Sequence, residues 1–463
     1  MAEQNTTIQS PEEFRLIAVT LSTDRFPATI DLKNLTVEFN IFENIRHPYL
    51  TGSLIILDDN QLYDTLQIQG TERVQIIVSL GNTSDQIEKN FVITQVASTT
   101  KVNDYSTIIR FDLIEDIGYL NNIQKFSKMY DGKGERIIHK IIEDRIFKPI
   151  ANIDTQLSYE TFIESYQSLF RLLVPYITPF NAVNLALNKM TTEKGLPYYF
   201  YSTLVDDNLF LADLETILLR QPFNTDPFVF SQSQTNSRTD NPTDIVKQSY
   251  SILNIYQPNV DDTMLLSQLG TINSTYTNID ASTGEVYTHA NRIIDTINQL
   301  KTAGVIDEND VIPIDDKFIP DRSGENTSTL LDYNSRHFDE ISGSTNLFDE
   351  GVNNWTLETQ NEYYLRLQKY TIEQLLLRNT QIITVPGFWF LTKNPQTTVG
   401  NQIKINIFKN DPNVTSSAAA TEVLDSKRSG DYVMMAKRHL FNVTEYRHTC
   451  TIECVRLTHP RVA

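Results

Sequence analysis

Cysteine is almost missing from this chain: 463 residues carry two, Cys450 and Cys454. That excludes a disulfide-stapled scaffold. Both fall in a segment that reads as a strand, where four residues span about 13 Å at about 3.3 Å each. A disulfide needs Cα atoms within about 7 Å, so the two do not pair with each other. With Ile452 they share one strand face and read as small buried apolar residues. Histidine is sparse and scattered: His47, His139, His289, His337, His439, His448 and His459. No two stand at a metal-ligand spacing such as His-Glu-x-x-His, and two cysteines without a nearby histidine pair do not make a zinc site.

Positive charge is also in deficit. Against 58 Asp and Glu stand 39 Lys and Arg, a net charge of −19. Such a surface lacks the cations with which a tight nucleic-acid binder replaces counterions. It suits simple solubility, or a wall past which phosphates slide without sticking. No apolar run is long enough for a spanning helix, and the polar stretch Met1–Gln9 lacks the core of a signal peptide. The chain reads as soluble and made in a cytoplasm, with later residence in a particle released by lysis left open.

Motifs of chemistry are missing as well. There is no Gly-x-x-x-x-Gly-Lys-[Ser/Thr] phosphate loop and no Gly-x-Ser-x-Gly elbow. Asn278–Gly284 resembles a calcium loop superficially, but its glycine falls one place late and His289 stands where the closing glutamate belongs. A hairpin turning at Ser282-Thr283-Gly284 is the better reading. Asp307–Asp310 and Asp315-Asp316 read as solvated acidic runs. No local pattern supports a glycosidase carboxylate pair. No catalytic, cofactor-binding or metal-binding residue is nominated, which points to a structural protein.

What is present is mostly β-structure. In Gln402–Ile407, Ile403, Ile405 and Ile407 alternate with Gln402, Lys404 and Asn406, the period of a half-buried strand. Val433–Phe441 and His448–Leu457 continue that module. The N-terminal hundred residues repeat the pattern: Thr29–Asn44, Ser53–Leu57, Arg73–Leu80, Phe91–Val102 and Tyr105–Ile114, with turn signals between. The period changes near Glu115. Ile137, Ile138, Ile141, Ile142 and Ile146 fit a helix, and so do Phe162, Ile163, Tyr166, Leu169, Phe170 and Leu173. Thr178-Pro179 caps a third. Tyr198–Thr203 with Leu209–Leu211 reads as a hairpin, and Leu214–Leu219 as a short helix. Ser231–Thr243 reads as a loop, residues 245–255 as helix or strand, Ala290–Leu300 and Asn361–Asn379 as helices. The expected class is α+β and β-dominated. Its expected parts are a β-domain at 10–117, an α+β domain at 118–244, completing strands and helix at 245–300, an acidic arm at 301–360, and a second β-domain at 361–463.

The order of several short blocks is similar to the baseplate central hub protein of contractile-tailed bacteriophages. The blocks are Phe42-Glu43-Asn44-Ile45, then Leu50–Asp58, then Gly70-Thr71-Glu72-Arg73-Val74. Pro179-Phe180, Gly195–Tyr201 and Phe210 with Leu214 follow. Val385-Pro386-Gly387, Gly400–Ile403, Ser429–Tyr432 and the closing strand Thr449–Leu457 complete the set. The resemblance implies two tail-tube-like β-barrel or sandwich domains flanking the α+β domain. It implies a homotrimer forming a pseudo-sixfold ring between a sixfold tube and a threefold spike, with DNA crossing the lumen during ejection. The implied partners are a central spike protein, separate because this chain stops at Ala463 where relatives in type VI secretion continue into a fused spike, a tail tube protein or tube initiator, and baseplate wedge proteins. It implies no enzyme and no cofactor. A peptidoglycan-degrading tail enzyme would need a clustered acid pair or metal constellation, and a glycan-binding tail protein would need repeated exposed aromatics. Neither pattern is in the sequence.

Overall fold

The computed structural model describes residues 8–23, 25–59, 61–81, 85–147, 157–159, 170–230, 241–258, 273–279, 286–308, 328–333, 360–409, 424–425 and 427–458. The chain opens with strands Arg15–Thr23 (β1), Phe26–Asp31 (β2), Thr36–Asn44 (β3) and Thr51–Asp58 (β4), then the short helix Leu62–Leu66 (α1). Arg73–Ser79 (β5), Gln86–Lys101 (β6) and Thr107–Glu115 (β7) follow. Alternation drives them: Val74, Ile76 and Val78 are buried on one face, as are Ile109, Phe111 and Leu113.

Next come Asp116–Ile123 (α2), Phe126–Gly132 (β8), Gly134–Ile142 (α3), Leu157–Tyr159 (β9), Phe170–Ile177 (β10) and Pro179–Lys189 (α4). Tyr198–Ser202 (β11), Leu209–Asp213 (β12), Leu214–Leu219 (α5), Phe228–Phe230 (β13) and Pro242–Ser249 (α6) precede Ser251–Ile252 (β14) and Asn254–Tyr256 (β15). Asn273–Ile279 (β16), Val286–Arg292 (β17), Ile293–Thr302 (α7), Ser328–Tyr333 (β18) and Gln360–Arg378 (α8) lead to the C-terminal strands. Those are Thr380–Pro386 (β19), Gln402–Asn406 (β20), Gly430–Asn442 (β21) and Arg447–Val455 (β22). The protein is β-dominated α+β.

Fourteen strands form one hydrogen-bonded sheet that closes on itself twice. In the C-terminal barrel, β20 pairs β21, β21 pairs β22, β22 pairs β19, and β19 pairs β15. The neighbouring β14 pairs β13, which returns to β20. In the N-terminal barrel the order is β1-β5-β6-β7-β4-β3, and β3 then pairs β21. A bridge between Glu13, just ahead of β1, and Arg447 of β22 completes that circuit. Closure pairs most of the strand edges that an open sheet would expose, while β2, at the end of the strand order, pairs with β1 alone.

The β21–β22 hairpin therefore belongs to both barrels. One edge of β21 pairs β20 from Gly430 to Val433 and β3 from Ala436 to Asn442. The change of partner falls where the β21–β22 register slips between Met434 and Ala436, the extra residue of a bulge that bends the strand. Each barrel has its own core: Val19, Leu54, Phe91, Phe111 and Phe441 in one, Phe228, Ile383, Ile403, Ile405 and Ile452 in the other.

Between residues 117 and 217, α3 and α4 pack on β8, β10, β11 and β12 through Ile137, Ile141, Val174, Val183 and Leu211. The long α8 buries Ile372, Leu375 and Leu376 against Ile45, Ile297 and Leu457. From the same helix Lys369 reaches the C-terminal carbonyls of α4, donating to Leu187 at 2.6 Å and Met190 at 3.3 Å.

Several local expectations change. Phe170–Leu173 is strand, not helix: Leu172 and Val174 are buried while Leu173 is 68% exposed, a period of two enforced by pairing with β8. Residues 162–169 lie outside the described residues. The continuous strand expected over Thr29–Asn44 is two strands broken by a turn at 33–35. Between β3 and β4 the chain turns before Thr51, because Gly52 already pairs with Ile41 and Leu113 inside β4. Thr243 lies in α6, whose N-cap Asn241 accepts from its amide. Residues 245–255 resolve into the end of that helix followed by β14 and β15. Ala290–Arg292 belongs to β17. Within the expected acidic arm, Ser328–Tyr333 pairs in parallel with β16, and most of the remainder lies outside the described residues.

Candidate functional site at the barrel junction

Three rows of residues run across the strands where the barrels meet. Lys437 of β21 lies between Glu43 of β3 and Ile452 of β22. His439 lies between Ile41 and Cys450, and Phe441 between Phe39 and His448. Alternation sends Glu43, Lys437, His439, Phe441, His448 and Cys450 to one buried face. The turn at 443–446 fixes the register and so decides which residues face one another.

The polar atoms connect in a chain. Glu43 Oε1 lies 3.0 Å from His439 Nε2, and His439 Nδ1 lies 3.1 Å from His448 Nε2. Cys450 Sγ is 3.4 Å from each of those last two nitrogens. Lys437 Nζ sits 3.9 Å from Glu43 Oε2 and donates to the Thr397 carbonyl at 2.5 Å. It also lies 4.7 Å above the Phe390 ring. The rings stack in sequence, His439 on His448 with centroids 5.3 Å apart, His448 on Phe441 at 4.1 Å and Phe441 on Phe39 at 4.4 Å. The backbone draws in too: Gly387 donates to the His448 carbonyl at 2.9 Å. A Cβ at 387 would lie 1.9 Å from His448 Nδ1, so the approach requires glycine.

Electrostatics assign the protons. Burial favours the neutral form of Glu43, but the Lys437 ammonium and the His439 hydrogen bond outweigh it and hold the carboxyl at about 2. Glu43 is thus a carboxylate, and His439 Nε2–H donates to it. Burial keeps His439 below the usual imidazole range despite Glu43, and His448 well below it. Both rings are neutral, and His439 Nδ1 carries a lone pair. Burial pushes the Cys450 thiol well above its ordinary range. A protonated thiol closed off from solvent is no nucleophile.

The outer side of the junction is a cavity of about 330 Å³ lined in part by Phe42, His47, Tyr49, Arg438 and Glu453.

Of the residues weighed from sequence, the structure unites His439, His448 and Cys450. Alternation along one strand assigns each of these residues a face but does not say which stand opposite one another across the hairpin. A His-x-Cys pair on one strand, with a histidine opposite across a hairpin, was the available signal. Cys450 and Cys454 are free and buried. His139 lies 3.7 Å from Glu143 on a surface helix, and His47 sits beside Tyr49. His337 and His459 lie outside the described residues. β16 and β17 pair through Ile279 and Val286, the hairpin preferred over a calcium loop, whose tip at 280–285 lies outside the described residues. Among the described residues no helix is long and apolar enough to cross a membrane.

No family model matches the sequence, and no curated protein does. Among solved structures, the 43 kDa tail protein of prophage MuSo2 from Shewanella oneidensis is similar, with a TM-score of 0.50 at 10% identity over 95% of this chain and 98% of that one. The tail protein of Neisseria meningitidis MC58 gives 0.48 at 9% identity, covering 96% and 97%. A component of the Escherichia coli type VI secretion system, described as similar to the bacteriophage T4 tail proteins gp27 and gp5, gives 0.41 at 8% identity, covering 96% and 79%. The chain has the fold of the MuSo2 tail protein.

Proposed function

We propose that this chain is the structural hub of a contractile phage-type tail, three copies closing into a pseudo-sixfold ring between a sixfold tube and a threefold spike. The observation that carries the reading is two closed barrels in one chain, joined through a shared hairpin. Three such chains present six barrels, which reconciles the two symmetries by geometry alone. Closure leaves the barrels to meet neighbours through side chains, loops and the outer edge of β2. The net charge of −19 suits a lumen through which DNA moves without adhering. The partners are a central spike, the tail tube or its initiator, and baseplate wedge proteins, with residence in the virion tail. The role is structural.

Light scattering and negative-stain imaging of the full chain, alone and mixed with its spike partner, test this. A three-chain ring with six lobes is expected in at least the mixture. A strict monomer at high concentration in both samples overturns the reading, and peptidoglycan cleavage in a zymogram would replace it with an enzyme.

A further inference from the structure

His439 Nδ1, His448 Nε2 and Cys450 Sγ form a nearly equilateral triangle with sides of 3.1, 3.4 and 3.4 Å. Its circumradius is about 1.9 Å, against zinc–nitrogen and zinc–sulfur bonds of about 2.0–2.3 Å. An ion slightly out of the plane meets all three atoms at bonding distance with the side chains where they stand.

Hydrogen bonding accounts for the Glu43–His439–His448 chain but leaves the Cys450 thiol without an acceptor of its own in the triangle. With the His439 proton on Nε2 against Glu43, Nδ1 offers one lone pair. If His448 carries its proton on Nε2, that N–H and the Cys450 S–H compete for the same lone pair. If His448 carries it on Nδ1, two lone pairs face each other at 3.1 Å. A cation at the centre resolves the second arrangement. The carboxylate behind His439 is the arrangement that orients metal-bound histidines and strengthens them as ligands.

We propose that His439, His448 and Cys450 bind one zinc ion per chain, with Glu43 orienting His439 from behind. Three protein ligands leave the fourth tetrahedral position to a water molecule. Binding turns the thiol into a thiolate and releases its proton to solvent, while both imidazoles stay neutral. Two imidazoles and a thiolate suit a borderline-soft ion and not magnesium or calcium, which take oxygen ligands. All three ligands are fully buried, so the ion enters as the chain folds. Once there it staples β21 to β22 at the point both barrels share.

Cys454 supplies an internal control, being equally buried but outside the triangle. The test uses the full chain, grown with added zinc and desalted, then analysed by elemental mass spectrometry. A second sample is refolded with cobalt(II) for absorption spectroscopy. Expected are about one zinc in the wild type and in Cys454→Ala, loss to background in Cys450→Ala, and about 10–100-fold weaker binding in Glu43→Gln. The cobalt sample should show a thiolate-to-metal charge-transfer band. Equal zinc in Cys450→Ala and wild type overturns the proposal, as does a wild type that stays metal-free after both treatments. Should Cys450→Ala fail to fold, the wild-type cobalt spectrum decides: no thiolate band, no site.

Discussion

Replacing Phe441 by alanine should weaken both barrels together. Its ring is fully buried. It stacks on Phe39 at 4.4 Å, lies parallel to His448 at 4.1 Å and meets the edge of Phe14 at 5.1 Å. Phe-to-Ala changes in cores cost about 3–5 kcal/mol. Ring pairs of these kinds add about 0.5–1.5 kcal/mol each beyond buried area, which places this site near the top, about 4–5 kcal/mol. With a urea slope of about 3 kcal/mol/M the midpoint should fall by about 1.5 M.

The informative readout is Trp389, which packs against the core of the other barrel. The chain has two tryptophans, so Trp355→Phe leaves Trp389 as the only reporter. Phe441 and Trp389 belong to different cores, yet the strand carrying Phe441 also carries Tyr432 and Met434 of the second core. Unfolding followed by Trp389 fluorescence and by far-ultraviolet circular dichroism should therefore shift by the same amount. An unmoved Trp389 midpoint beside an earlier dichroism phase would refute the reasoning, because the barrels would then unfold separately and the hairpin would not couple them.

Lys369 should make stability depend on alkaline pH. Burial lowers it from 10.5 to about 8, so between those values the unfolded chain holds a proton that the folded chain does not. Wild type should gain on Lys369→Met by about 1.4 kcal/mol per pH unit from pH 8 upward, roughly 3 kcal/mol in all, and lose it as pH returns to 8. A difference in urea midpoint that ignores pH would show that Lys369 is not buried as described. Gly387→Ala should cost about 3 kcal/mol or more by thermal unfolding, since its Cβ would lie 1.9 Å from His448 Nδ1. A loss below about 1 kcal/mol would mean that the backbone at 387 yields freely.

Much of the fold was legible because alternation is a local property. Ile403 and Ile405 are buried and Lys404 exposed as the pattern requires, and the Thr178-Pro179 start of α4 is where the capping signal puts it. The helix expected at 162–173 failed over its last residues because a short apolar run satisfies two periods. Only pairing with β8, distant in sequence, chooses between them. The junction was illegible for the same reason at larger range. Glu43 and His439 lie 396 residues apart. Their meeting depends on β3 taking β21 as its neighbour, a long-range choice that neither strand's composition states. Within the hairpin the pairing of His439 with Cys450 followed from the turn, and a register drawn from that turn would have exposed the cluster.

A hub of the proposed kind must hold its two barrels at a fixed offset, since both contribute to one ring. A flexible linker would leave that offset free. Here two strands cross from one barrel into the other without interruption, and the bulge at 434–436 sets the bend between them. What then needs protection is register. A slip of one residue that inverted β21 would carry Lys437, His439 and Phe441 to the opposite face together, leaving Glu43 buried without either of its partners. Uncompensated buried charge is among the costliest defects a core can carry. An apolar face would tolerate such a slip far better, because one aliphatic row packs much like another. The polar cluster therefore acts on geometry: it penalises alignments of the shared hairpin that part Glu43 from Lys437 and His439.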